Sequence, residues 1–550
     1  MRRLAIVVLP ALLALPAPAV AGVTLTEFKV EPSNLQAGGH PSVKITQAFS
    51  YSNTTDDAQD TFVRLAPGLL GNPQNAALCT GEQMRSSAGC PPSAKVGSVV
   101  VTAGLIDPIL HLRLSGLTVP GTVYNLRPTG GEPARLGLAL QALGGLSRSY
   151  LEAAVRLRPG PDGIGLETLF EKQPRDAGLD IQIERVELTF DAAASKGSFM
   201  RMPTSCATGV SLARVNSYEA PAALSERTFP LTPTGCDALG FAPTATGSLG
   251  APDQLLDGDF PPLSTTLRFD PEEAALNRAE VTLPTSLAPN QAALMRVCLR
   301  PQAEATACPE SSRVGTAIID SPLQAEPVRG PVYLAFNTPA PLPGLMVVLP
   351  PPVDLRIDAV VETGSFGVRN VFPSNPDLPL RSFTLEFGGG PSGILQLTDD
   401  LCAPRTPTAI AVKLTSHSGR VREFSQDLAT PGCDPRARIT LRKNGRRYTL
   451  AAVLEAARRG PDIRSAKLGL PKPLKRGRRT PRVHVDGRRV RVRRARRAVK
   501  PKLGGGARRV KIVWRGLRAR RKVRRTVVVP LTMVDDRGKR FTPKVRVARG

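Results

Sequence analysis

Short apolar, β-branched runs recur along most of this chain, each closed off by Pro, Gly or Asn. Val99-Val100-Val101-Thr102, Val186-Glu187-Leu188-Thr189-Phe190 and Leu345-Met346-Val347-Val348-Leu349 are typical. Runs of this length between turn residues predict strands rather than helices. Arg482-Val483-His484-Val485-Asp486-Gly487-Arg488-Arg489-Val490-Arg491-Val492-Arg493 alternates about an Asp-Gly pair, the pattern of a two-residue hairpin with a type I′ turn. Residues 510–514, 527–529 and 545–547 add strands near the end, whereas the alanine-rich stretch 448–459 reads as either helix or strand. With 53 prolines and 49 glycines in 550 residues, long helices are disfavoured. The hydrophobic content of 41% is enough to fold most of the chain rather than leave it disordered.

The first apolar run differs from these. Residues 4–15 follow Arg2-Arg3 and lead into Pro16-Ala17-Pro18-Ala19-Val20-Ala21, the layout of a signal peptide with small residues at −3 and −1. We expect cleavage after Ala21. The run is shorter than the roughly 20 residues of a membrane-spanning helix, and no lipobox cysteine follows it. The expected product is extracellular, secreted or held peripherally on the cell envelope, with no transmembrane segment after cleavage.

Eight cysteines form two sets with the same spacing: Cys79, Cys90, Cys206 and Cys236, then Cys298, Cys308, Cys402 and Cys433. Eight cysteines allow 105 pairings. The repeated spacing selects Cys79–Cys90, Cys206–Cys236, Cys298–Cys308 and Cys402–Cys433, each bridge stabilising by roughly 3–4 kcal/mol in the chain-entropy picture. A metal reading is weak, since no C-x-x-C occurs and His40, His111, His417 and His484 do not cluster in sequence.

The same duplication shows in other stations. The stretch from Val63 to Leu69 corresponds to that from Val281 to Leu287, and Cys90-Pro91-Pro92-Ser93-Ala94-Lys95-Val96-Gly97 to Cys308-Pro309-Glu310-Ser311-Ser312-Arg313-Val314-Gly315. Val123-Tyr124 matches Val332-Tyr333, and Gly235-Cys236-Asp237 matches Gly432-Cys433-Asp434. The second copy lacks the Gly71-Asn72-Pro73 turn residues of the first. The expected fold is all-β: a first β repeat over 22–250, a second over 251–433, both disulfide-stapled and sandwich-like, and a small basic immunoglobulin-like β domain over 434–550. The residues Gln36-Ala37-Gly38-Gly39-His40-Pro41, Pro67-Gly68-Leu69-Leu70-Gly71-Asn72-Pro73, Val123-Tyr124-Asn125-Leu126 and Thr234-Gly235-Cys236-Asp237-Ala238-Leu239 resemble signatures of large secreted actinobacterial β-rich repeat proteins that end in an Arg-rich β module. That resemblance implies architecture and compartment, and no activity or site residue.

Charge sharpens the picture at one end only. From Asp434 onward there are 41 Lys and Arg against 6 Asp and Glu, a net +35, while the whole chain carries +28. The body is therefore slightly acidic and the C-terminal segment strongly basic. Such charge is self-repelling unless anions screen it. We expect Arg488, Arg489, Arg491, Arg493, Arg494, Arg496 and Arg497, with Arg515, Arg518, Arg520, Arg521, Lys522, Arg524 and Arg525, to bind an anionic envelope polymer or lipid headgroups. Nucleic acid is not expected as the native partner, because the segment offers few aromatics and no recognition helix.

Catalytic patterns are missing: there is no G-x-S-x-G, no H-E-x-x-H and no P-loop, and Gly388-Gly389-Gly390-Pro391-Ser392-Gly393 lacks the Lys-Ser/Thr of a phosphate loop. Asp56-Asp57 with Asp60, and Asp257-Gly258-Asp259, have the oxygen chemistry for calcium but not the EF-hand spacing. No cofactor is expected. The resulting expectation is a non-enzymatic surface-associated structural or binding protein. An extracellular binder of a carbohydrate or apolar ligand is the alternative, and an exported hydrolase ranks below it.

Overall fold

The computed structural model describes residues 22–550 apart from 108–112, 143–146, 161, 174–179, 404, 459, 493–496, 521–522, 524–525, 543 and 549–550. The expected leader, 1–21, lies outside the described residues. The chain is nearly all β; among the described residues the α-helices are single turns, Gly81–Arg85 and Arg300–Glu304. It folds as two compact units, divided chiefly between Leu239 and Gly240.

The first unit is built on eleven antiparallel strands: β1 (Val23–Pro32), β2 (Val43–Tyr51), β3 (Ala58–Arg64), β4 (Lys95–Ile106), β5 (Arg113–Leu126), β6 (Ala134–Ala142), β7 (Ser147–Gly160), β8 (Gly163–Phe170), β9 (Asp180–Phe190), β10 (Gly209–Ser217) and β11 (Ser225–Leu231). Their spatial order is β1-β2-β9-β4-β5-β6-β7-β8-β3-β10-β11. Period-two alternation turns Val43, Ile45, Gln47 and Phe49 of β2 inward. An odd number of antiparallel strands leaves β1 and β11 running the same way. The sheet curls until these edges meet, with Leu25 N donating to Ser225 Oγ and Arg227 Nε donating to Leu25 O, both at 2.9 Å.

The second unit repeats this plan with β12 (Thr244–Leu249), β13 (Leu263–Arg268), β14 (Leu276–Thr282), β15 (Arg313–Asp320), β16 (Val328–Ala335), β17 (Gly344–Leu349), β18 (Leu355–Gly364), β19 (Gly367–Phe372), β20 (Ser382–Phe387), β21 (Ala409–Ser416) and β22 (Val421–Asp427). Its order, β12-β13-β20-β15-β16-β17-β18-β19-β14-β21-β22, is the first order with eleven added to every strand. The ladders agree residue by residue. Val43, Ile45 and Gln47 stand opposite Phe190, Leu188 and Val186, as Leu263, Thr265 and Leu267 stand opposite Phe387, Leu385 and Phe383. Tyr218 Oη donates to Gln173 O at 2.8 Å, and His417 Nε2 donates to the corresponding Asn375 O at 2.9 Å. The strand β12 lies within 22–250 in sequence but pairs with β13, so it belongs to the second sheet.

Four disulfides join Cys79 to Cys90, Cys206 to Cys236, Cys298 to Cys308 and Cys402 to Cys433. Each close pair brackets one of the helical turns. Each distant pair ties together the two ends of a hairpin, β10–β11 or β21–β22. The second copy lacks the glycine before and the proline after this asparagine yet keeps the turn, because the asparagine itself survives: Asn72 accepts from Gln74 N and Asn290 from Ala292 N, each at 3.0 Å.

From Arg436 the second unit continues as a small immunoglobulin-like sandwich. One sheet has the order β23-β24-β28-β26-β27, where β23 is Arg436–Asn444, β24 Arg447–Glu455, β26 Arg482–Val485, β27 Arg488–Val490 and β28 Arg509–Ala519. The other contains β25 (Ile463–Gly469) and β30 (Lys544–Ala548) on either side of β29 (Thr526–Asp535). Trp514, Leu450, Leu454, Leu468 and Val529 fill the space between. The ambiguous stretch 448–459 resolves mainly as strand β24, its burial alternating with period two. Asp486 and Gly487 both take positive φ, as a type I′ turn requires.

Candidate functional site

Two places in the molecule have the chemistry of a site. The first is the solvent face of the sheet β23-β24-β28-β26-β27. Arg438 pairs with Val453, Val453 with Lys511, Lys511 with His484, and His484 with Arg489, so a row of basic side chains crosses the sheet. At the far end of β28, Arg518 stands opposite Lys475. Like charges directly opposed on a ladder are destabilising. Carboxylates nearby are already used. Asp434 pairs with Lys539 at 3.0 Å, while Glu455 with Arg509, Asp462 with Arg508 and Asp535 with Arg537 are each 3.1 Å apart. Asp486 accepts from the backbone N–H groups of Arg508 and Arg509.

Of the cations singled out by clustering, Arg488 and Arg489 lie on β27, Arg515 and Arg518 on β28, and Arg491, Arg497 and Arg520 beside those strands. All are exposed, and among the described residues none is ion-paired. Arg493, Arg494, Arg496, Arg521, Lys522, Arg524 and Arg525 lie outside the described residues. The two clusters meet through β28, whose first half adjoins the β26–β27 hairpin. Clustering along the sequence missed Arg438 and Lys511, which only sheet order brings alongside Arg489. Their signal is the alternation of basic with apolar residues in 436–442 and 509–515.

The second place is inside the first sheet, and no motif announces it. The curled strands enclose a chamber of about 250 Å³. Its walls include Val101 and Ala103 of β4, Leu138 and Leu140 of β6, and Val186 and Leu188 of β9, and no charged side chain is among its described lining residues. The chamber exceeds the roughly 150 Å³ apolar cavity that takes up benzene in an engineered protein. Gln47, Thr61 and Gln173 are buried polar residues on its wall. Gln173 Nε2 donates to Thr61 Oγ1. Gln47 is 6% exposed, and its Nε2 has no partner among the described residues. An unsatisfied buried donor of this kind costs about 1–3 kcal/mol.

The second sheet encloses only about 140 Å³. There the register puts Leu267 where the first copy has Gln47, and Ala279 where it has Thr61. Strand length accounts for part of the difference in volume: β4 and β5 have 12 and 14 residues, against 8 each in β15 and β16. Beside the chamber, Glu132 sits in the turn before β6. Burial pushes its pKa up, but N–H donors of Thr129 and Gly130 and the Arg135 guanidinium more than offset this and hold it at about 2.

The remaining candidates are structural. Asp56 Oδ1 accepts from Asp57 N and Glu219 N, and Asp259 Oδ2 from Leu255 N and Leu256 N, so these acids secure turns. Asp60 Oδ1 accepts from Lys172 N. Among the described residues no group of three or more His, Cys, Asp or Glu could hold a metal ion. In the glycine-rich stretch, Gly393 N donates to Gly390 O, closing a turn. His40 Nδ1 donates to Met200 O at 2.9 Å. His111 lies outside the described residues. Among the described residues no helix is long and apolar enough to cross a membrane.

No family model matches the chain, and no curated protein matches it in sequence. Among solved structures it is similar to the collagen adhesin of S. aureus, with 11% identity over 56% of this chain and 92% of that one and a TM-score of 0.17. It is also similar to the N-terminal domain of a Streptococcus gordonii adhesin, with 8% identity over 96% and 92% and a TM-score of 0.19. The major pilin subunit of Bacillus cereus gives 10% identity over 72% and 93% and a TM-score of 0.17. Likenesses of this size carry no functional argument, and the expected kinship with actinobacterial repeat proteins has no match behind it.

Proposed function

We propose that this is an exported, non-catalytic surface protein, retained by its C-terminal cationic face on an anionic envelope polymer or on lipid headgroups. The observation that carries this reading is the row Arg438, Lys511, His484, Arg489, together with the opposed pair Arg518 and Lys475, on a sheet whose neighbouring carboxylates already have partners. Each cation close to an anionic surface contributes at most about 1 kcal/mol, so retention comes from many weak contacts and weakens with salt. Four intramolecular disulfides support an oxidising compartment. Single-stranded nucleic acid is a poor partner, because Tyr448 and Trp514 are buried in the core and offer no stacking surface.

The test is a salt-titrated pull-down of the full chain on purified cell envelope and, in parallel, on anionic vesicles. The full chain is expected to bind at low ionic strength and to release as salt rises. A variant combining Arg489→Ala, Lys511→Ala and Arg518→Ala should release at markedly lower salt. Equal retention of both chains would remove the anchoring role.

A further inference from the structure

We infer that the chamber of the first copy is a binding site for a neutral acyl ester, an aliphatic chain ending in a carbonyl oxygen. Its lining is mostly apolar, aliphatic residues with Phe170, Phe190 and Phe199 and a few scattered polar side chains, which disfavours a ligand with many hydroxyl groups, most of whose donors and acceptors would go unmet. Gln47 supplies one buried amide donor with no partner among the described residues. A donor fixed in an apolar wall selects a single acceptor. A carboxylate is disfavoured, because no cation is among the described lining residues to balance a buried charge. The second copy serves as an internal control. It has the same strand order with a smaller cavity, and Leu267 replaces the donor.

The experiment titrates the full chain with methyl decanoate and, separately, with sodium decanoate, followed by native mass spectrometry and thermal unfolding. One equivalent of ester should bind, with the carboxylate at least tenfold weaker. Gln47→Leu, which installs the second copy's residue, should weaken the ester by about tenfold, the value of one hydrogen bond. That variant should leave the unliganded protein no less stable. Ala103→Phe, which fills the chamber, should abolish binding. No ester bound, equal binding of the carboxylate, or ester binding that both substitutions leave untouched would overturn the site.

A different observation carries a second inference, which rests on the reading that the chain is exported and cleaved after Ala21. Asp56 is fully buried; its Oδ1 accepts two backbone N–H groups, and its Oδ2 has no partner among the described residues. A β-carbon on Gly22 would collide with that Oδ2 and lie 3.1 Å from Ser217 Oγ, so the carboxylate is packed directly against the Gly22 backbone. Gly22 is itself held, its carbonyl accepting from Ser52 N at 3.0 Å and Ser52 Oγ at 3.2 Å. We infer that processing creates the missing partner. Water adds across the Ala21–Gly22 amide, the carboxylate leaves with the leader, and the amine released on Gly22 takes up a proton and pairs with Asp56.

The chain recovered after export is first sequenced from its N-terminus. It is then compared in thermal unfolding with a chain that keeps Ala21, each with and without Asp56→Asn. The chain starting at Gly22 should unfold roughly 2–4 °C above the extended one. Asp56→Asn should erase that difference. A start at another residue would overturn the export reading, whereas a Gly22 start with no stability difference would overturn the pairing alone.

Discussion

In the first sheet Gln47 and Thr61 line a chamber of about 250 Å³; in the second, Leu267 and Ala279 hold those register positions and the cavity is about 140 Å³. Strand order, cysteine staples and the asparagine-capped turn are the same in both. The parts that close the fold are therefore shared, and the parts that fill its interior have diverged. Backbone ladders need only an apolar inward face, so residues on that face are free to trade size and polarity as long as the wall stays sealed.

The strongest way to break this comparison is through the staples. Cys206–Cys236 and Cys402–Cys433 close loops of 30 and 31 residues in sequence separation, so removing either by paired Cys→Ser changes should cost its own copy about 3–4 kcal/mol. Hydrogen exchange resolved by segment would measure it. Tolerance in one copy and collapse in the other would show that the two staples do different jobs.

Acid should act more selectively. Glu132 is depressed from 4.5 to about 2 in the folded chain, so its contribution is fully present above pH 4.5 and is lost as pH falls toward 2. The full shift corresponds to roughly 3 kcal/mol. The matching loop of the second copy, 336–343, carries no carboxylate. Between pH 4.5 and 2 the β5–β7 region of the first copy should lose exchange protection before its counterpart does, and Glu132→Gln should flatten that response. If both regions open together in the parent chain, Glu132 is not the sensor.

A smaller effect comes from exchanging the interior residues. Leu267→Gln should destabilise the second copy by about 1–3 kcal/mol, since Leu267 is buried and its apolar surroundings offer the amide no planned partner. The reciprocal Gln47→Leu should stabilise the first copy by about 1 kcal/mol at most. Chemical denaturation of both variants tests the pair. A destabilising Gln47→Leu would mean that the amide already contributes to the unliganded fold.

Much of the architecture is legible in the sequence alone. Val99-Val100-Val101-Thr102 lies in β4, Leu345-Met346-Val347-Val348-Leu349 in β17, and the Asp-Gly hairpin has the expected turn, because alternation and turn chemistry act over a few neighbouring residues. The stretch 448–459 was not legible, since alanine suits either conformation and the choice fell to packing against β28.

The sequence by itself determined the all-β class, the duplication carried by its cysteine stations and the charge contrast at the C-terminal end. These are local or additive properties, readable from spacing and composition. Only tertiary structure placed Gln47 of β2, Thr61 of β3 and Gln173, the last from beyond β8, around one chamber, and Arg438, Lys511 and Arg489 in one row. Those groupings depend on which strands become neighbours in the sheets, and that choice is made by the burial of whole faces rather than by any residue's own surroundings in the chain.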